Sequence, residues 1–210
     1  MHVCYVGTVL PLGMDTLRAV LSAVAVVRAR RPDLYARLRL HFFGTSNQRD
    51  PAAPPRVLPL AAELGVADRV TETPGRIDYL AAMTVLTQAG VILLMGSSER
   101  HYTASKLYPA LLAERPLLAV YHEASSVTDI LRRTAPPPAA RLVTYGDAGP
   151  AGSRVEAIAR ELTAVLDRPA DIPVAADAAA LRGYSAESLA GVLAGVLDRA
   201  RGWDRMRGRP

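Results

Sequence analysis

The chain has 210 residues, 50% of them hydrophobic and 21% charged, with a net charge of +5. That length holds one large domain or two small ones with a full core, and no apolar run reaches the roughly 18–20 residues of a membrane span. The single cysteine, Cys4, excludes an internal disulfide and a thiolate metal cluster, and it fits a reducing, cytoplasmic setting.

The elements alternate along the chain. Val3–Val6 reads as a strand holding Cys4 as a small hydrophobe, with no leader signature before it. Asp15 is placed to cap a helix whose Leu17, Val20, Leu21, Val24 and Val27 recur at the 3.6-residue period. Leu38–Phe43 is a second strand, ending at Gly44-Thr45-Ser46, and a Pro-rich loop follows it. Leu58–Leu64 reads as a short helix stopped by Gly65, Val70–Thr73 as a strand, and Tyr79–Gln88 as a helix. Val91–Met95 is a continuous apolar strand. Lys106–Glu114 is a helix and Leu117–Tyr121 a strand.

Ser126-Val127-Thr128-Asp129 and Ser153-Arg154-Val155-Glu156 read as capping boxes on either side of a last strand, Leu142–Tyr145. A final helix runs from Ala186 to Arg199 with Leu189, Val192, Leu193 and Val196 inward. Six short apolar strands alternating with amphipathic helices predict an α/β fold. Its sheet is doubly wound and mainly parallel, with helices on both faces. The expected organisation is one domain over residues 1–203, then a basic tail, 204–210. Arg199, Arg201, Arg205, Arg207 and Arg209 around Trp203 read either as a solvated tail or as a patch for membrane phosphates or a partner.

Ligands of such sheets bind outside the carboxyl ends of the strands. The richest loop there is residues 96–106, which gathers Ser98, Arg100, His101, Ala104, Ser105 and Lys106. Lys106 is the only lysine among 25 basic residues. Hydroxyls, a helix start and two cations suit a phosphate; the competing reading is a solvated loop with Ser105 as an ordinary N-cap. His101 reads as a proton shuttle or phosphate donor, or as a plain surface histidine, and Glu99 as a local partner for Arg100.

After the first strand, Gly7-Thr8 opens an apolar loop in which phosphate affinity would rest on backbone amides. Gly75-Arg76-Ile77 offers backbone groups to a base, or is a simple turn. Pro109 requires a helix that starts or bends close by. No HExxH, GxSxG, CxxC, GxGxxG or Walker pattern is present, so no metal, cofactor or hydrolase triad is expected. With only 5% aromatic residues, a single-stranded nucleic-acid platform is not expected either.

Several segments resemble the C-terminal half of a GT-B glycosyltransferase of the retaining group 1, family 4 type, a Rossmann-like domain. Tyr5-Val6-Gly7-Thr8 followed by Asp15-Thr16-Leu17 is similar to the family's opening strand and helix. Leu40–Thr45 is similar to its second strand. Ser105-Lys106-Leu107-Tyr108 through Glu114-Arg115-Pro116-Leu117-Leu118-Ala119 resembles its "SKLFEYLAAGKPVLA" segment. Gly183-Tyr184-Ser185-Ala186-Glu187-Ser188-Leu189 resembles its closing helix. The resemblance implies a donor domain for a nucleotide-diphosphate sugar. The base would lie at Gly75-Arg76-Ile77 and the diphosphate at Ala104-Ser105-Lys106.

The chain departs from the family in three ways. The paired glutamates, eight positions apart, fall on His101 and Pro109. The basic residues of the first loop are replaced by Thr8 and Leu10 to Leu12. The acceptor-binding N-terminal domain is missing, so turnover would need it in cis or trans. The alternatives are a non-catalytic interaction domain with a degraded donor site, inclined to form a homo-oligomer, and a nucleotide-sugar isomerase or epimerase fragment. A peripheral membrane contact through the basic tail is a further expectation.

Overall fold

The computed structural model describes residues 1–50, 52–100, 102, 104–167 and 176–207, the last seven through their backbone alone. Two compact units divide the chain, Met1–Ala176 and Asp177–Pro210. Among the described residues the first holds six strands: β1 (His2–Val6), β2 (Arg39–Phe43), β3 (Val70–Thr73), β4 (Val91–Met95), β5 (Leu117–His122) and β6 (Ala140–Tyr145). They form one sheet in the order β3-β2-β1-β4-β5-β6, with every pairing parallel. β4 and β5 are buried at every residue, as expected of strands covered on both faces.

The helices of this unit are α1 (Met14–Arg30), α2 (Pro32–Arg37), α3 (Leu58–Glu63), α4 (Tyr79–Gln88), α5 (Leu107–Leu112), α6 (Ser126–Thr134) and α7 (Val155–Leu166). Right-handed crossovers carry α1 and α3 over one face and α4, α5 and α6 over the other. α7 returns to pack on α1. Leu17, Val20, Leu21, Val24 and Val27 of α1 and Ile158, Leu162 and Val165 of α7 meet Val3, Tyr5, Leu40 and Phe42 in the core. The doubly wound, Rossmann-like α/β class expected from the alternation is the observed one.

The caps differ from those expected. α1 starts after Gly13, and Asp15 lies in its first turn without a capping hydrogen bond. Ser125, not Ser126, caps α6 by accepting from Val127 N. The hydroxyl of Ser153 donates to the Pro150 carbonyl, and a 3-10 turn over Ala151–Arg154 leads into α7. In each case a capping side chain also fits a neighbouring backbone group, and only tertiary packing selects which.

Pro109 is the third residue of α5, among the first four positions whose N–H has no intrahelical partner, so the ring costs no hydrogen bond. The same helix ends at Leu112. Glu114 beyond it adopts φ 53°, a left-handed conformation that costs a non-glycine residue about 1–2 kcal/mol. Part of that is offset by the freedom glycine loses on folding. Glu114→Gly should therefore stabilise the protein by about 1 kcal/mol in urea denaturation, with no change in the slope of the transition.

The second unit holds α8 (Ala178–Leu181), capped by Asp177, a 3-10 turn at Arg182–Tyr184, and α9 (Ala186–Arg207). α9 passes the boundary expected near residue 203. Leu189, Val192, Leu193 and Val196, expected to face inward, are 46–65% exposed, because so short a unit cannot enclose a core of its own. Arg209 lies outside the described residues. No helix among the described residues is long and apolar enough to cross a membrane.

Candidate functional site

The strand order reverses between β1 and β4, so the loops beyond these strands diverge and leave a crevice at their carboxyl ends. Lys106 stands at this place, immediately before α5. Its side chain runs across to β1. Nζ donates to the Tyr5 hydroxyl at 2.7 Å and lies 4.1 Å from the Tyr5 ring centroid, a cation–π contact. That hydroxyl in turn donates to the Thr8 carbonyl at 3.0 Å. Gly7, with φ +140°, admits the approach: a Cβ there would meet Nζ at 3.2 Å and Cδ at 3.4 Å.

Burial pushes the Lys106 ammonium down from its ordinary 10.5 to about 7. No carboxylate among the described residues forms an ion pair with it. Beside it the Tyr5 phenol is pushed far up, mainly by burial. The Tyr121 hydroxyl is fully buried and finds no hydrogen-bond partner among the described residues. It lies close enough to Tyr5 and Tyr102 to interact with them electrostatically. An uncompensated amine and an orphaned phenol cost folding energy, and such groups gather at functional sites.

The other expected site residues are distributed around this centre. Gly7 N donates to Phe43 O and Val9 N to Thr45 O, so two amides of the first loop are already committed. Backbone bonding to the β2 side thus continues to Val9, three residues past β1. Gly75 is buried and Arg76 exposed, its backbone N–H held by the Gln48 carbonyl; Ile77 is half-buried. They follow β3, two strands from β1 and roughly 10 Å across the same edge. Ala104 is buried and Ser105 exposed, and no side chain caps α5. His101 lies outside the described residues.

Arg100 turns away from Lys106. Its guanidinium pairs with Asp147 at 3.3 Å, both groups well exposed. Asp147 also meets His122 Nε2 at 3.3 Å, while His122 Nδ1 accepts from the Ala124 amide. Tyr145 donates to the Ser97 carbonyl and accepts from Thr16. Thr16, Ser98, His122, Tyr145 and Asp147 border a second cavity of 170 Å³ beyond β5 and β6. On the Tyr5 side of the crevice the cavity bordered by Tyr5, Thr8, Gly96, Ser97 and Tyr102 measures 20 Å³, room for about one water. Sequence reasoning missed Tyr5, Tyr121 and Asp147, since no local pattern distinguishes a strand tyrosine that holds an amine from one that fills a core.

No protein-family model matches the chain, and no curated protein matches it. Among solved structures the chain is similar to sucrose-phosphate synthase from Thermosynechococcus elongatus, with 22% identity and a TM-score of 0.49. The similarity covers 78% of this chain and 36% of that one.

Proposed function

We propose that the first unit binds the diphosphate of a nucleotide sugar, as the donor half of a retaining glycosyltransferase whose acceptor half is another domain. The observation that carries this reading is Lys106, a desolvated amine without a carboxylate partner, held against Tyr5 where the strand order reverses. A phosphate dianion supplies the charge that the fold withholds from it. Lys106 then takes a proton and offsets the charge that develops on the leaving diphosphate. The span of roughly 10 Å from Lys106 to the Gly75-Arg76-Ile77 loop suits a nucleoside diphosphate laid along the strand ends. A phosphate exceeds the 20 Å³ cavity bordered by Tyr5 and Tyr102, so binding there draws the Tyr102 side chain out of its present place.

Three observations favour the second reading, a non-catalytic domain with a degraded donor site. Arg100 is engaged with Asp147, the amides of Gly7 and Val9 are consumed, and Pro109 offers no acceptor for a ribose. Thermal melting with millimolar UDP, GDP and dTDP separates the two readings. Ligand at 100 times its dissociation constant adds about 2.7 kcal/mol. Donor binding predicts that one nucleotide raises the midpoint by several degrees in the wild type and leaves Lys106→Ala unmoved. Identical curves for all three nucleotides would favour the non-catalytic reading.

A further inference from the structure

Arg100 and Asp147 meet between two loops, and the two sides of this contact are built differently. Asp147 is held in place. It lies in a tight turn closed by mutual backbone hydrogen bonds between Gly146 and Gly149, at 3.0 and 3.1 Å. Its Oδ1 faces His122 Nε2 at 3.3 Å. His122 Nδ1 accepts from the Ala124 amide, so in either charge state Nε2 carries a hydrogen, which it donates to the carboxylate. The His122 side chain is 4% exposed and meets the Tyr145 ring edge-on, with centroids 5.7 Å apart, which fixes the imidazole.

Arg100 is held by much less. Its Nη1 is 3.3 Å from Asp147 Oδ2, and the two side chains are 61% and 67% exposed. An ion pair so open to water gains little over two solvated charges. Among the described residues the guanidinium has no second ion-pair partner. Its loop follows β4, which lies between β1 and β5. His122 ends β5 on one side, and Lys106 reaches Tyr5 of β1 on the other. Each neighbouring strand is about 4.8 Å from β4. Arg100 therefore stands between two partners, the carboxylate that it meets and any anion at Lys106.

We propose that Asp147 is an internal competitor for the diphosphate. It holds Arg100 in the free protein, and a diphosphate at Lys106 draws the guanidinium across β4 and replaces the carboxylate. A diphosphate carries more charge than one carboxylate and accepts from the guanidinium fork through two parallel bonds, so the exchange runs toward the ligand. The inference rests on the reading of Lys106 as a diphosphate site. Asp147 acts on the ligand only through Arg100, as a positioning residue, and sets how tightly the site binds. On this account the engagement of Arg100 with Asp147 keeps the cation in reserve and does not mark a degraded site.

The test is calorimetric titration of the full chain with inorganic pyrophosphate at low ionic strength, for the wild type, Asp147→Asn, Arg100→Gln and the double variant. Asp147→Asn should bind about two- to fivefold tighter, the factor by which an exposed pair holds its partners. Arg100→Gln should bind more weakly than the wild type, and adding Asp147→Asn to it should bring no gain. Asp15→Asn is the control for charge alone: Asp15 borders the same 170 Å³ cavity as Asp147, and the ion pair of Arg100 is with Asp147. Equal tightening in the Arg100→Gln background, or in Asp15→Asn, would overturn the proposal, because it would assign the effect to net charge. So would nitrogen NMR relaxation showing Arg100 Nε–H, without ligand, as mobile in the wild type as in Asp147→Asn. The donor reading fails on a different result, pyrophosphate binding unchanged in Lys106→Ala, and the Asp147–Arg100 cycle is read independently of it.

Discussion

Lys106→Met should melt higher than the wild type at neutral pH and lose all response to nucleoside diphosphates. The Lys106 amine has a pKa of about 7 in the folded protein and 10.5 ordinarily. Between these values the unfolded chain holds a proton that the folded chain releases, so the wild type gains stability as pH rises from 7 toward 10.5. Below about pH 7 both states are protonated and the full cost of the buried charge is present. Methionine fills similar volume without a charge. After allowance for solvent around this half-buried side chain, the gain near pH 7 is about 2 kcal/mol. That corresponds to a rise of roughly 4–8 °C in a chain of this size. The measurement is a pair of melting series from pH 6 to pH 10. The difference between wild type and variant should be widest at the acid end and narrow steadily as pH rises. A parallel pair of curves would mean that the amine is solvated in the folded protein. A residue whose removal stabilises the fold while abolishing binding is kept for function.

The largest loss of stability is expected at Glu72. This carboxylate projects from β3 beneath the start of α3 and accepts four hydrogen bonds. They come from the Thr45 hydroxyl at 2.5 Å, Arg56 N at 2.8 Å, and Val57 N and Leu58 N at 2.9 Å each. Val57, the N-cap of α3, makes no side-chain capping bond, so Glu72 caps the helix from another strand and answers its N-terminal dipole. Glu72→Gln keeps one oxygen but turns an NH2 group on two donors, leaving them unpaired. At about 1–3 kcal/mol for each orphaned buried group, the expected loss is about 3 kcal/mol, roughly 6–12 °C in midpoint.

Hydrogen exchange at Val57 and Leu58 should accelerate with it. Glu63→Gln is the control: Glu63 pairs with Arg18 at the surface, with both side chains more than half exposed, and an exposed pair contributes at most about 1 kcal/mol. A loss at Glu72 no greater than at Glu63 would mean that α3 is capped by solvent. Arg56 also donates to the Val9 carbonyl at 2.5 Å, so the Glu72 network braces the loop that follows β1 and reaches toward the candidate site.

The strand and helix order was legible because it rests on short-range signals. Five apolar residues in a row, Val91–Met95, make a strand covered on both faces wherever they occur. Leu17, Val20, Leu21, Val24 and Val27 make a helix face in any context. The unusual status of Lys106 was also legible, from composition alone.

One short helix was not legible. α2 follows α1 with only Arg31 between, and its six residues carry too little periodicity to separate from it. The caps were misplaced by one or two residues because Ser125 and Ser126, or Gly13 and Asp15, offer the backbone nearly equal local partners. Glu72 sits in a strand whose burial alternates, and nothing in Thr71-Glu72-Thr73 marks it as the cap of a helix fourteen residues earlier.

The sequence by itself determined the α/β class, the six strands and the singular position of Lys106 ahead of a helix. Hydrophobic period and turn chemistry act over a few residues, and each of those features is local. The tertiary structure alone decided the strand order, the pairing of Lys106 with Tyr5 across 101 residues, and the diversion of Arg100 to Asp147. Those contacts join strands brought together by burial, where the geometry of the sheet, and no pattern along the chain, selects which polar groups face one another.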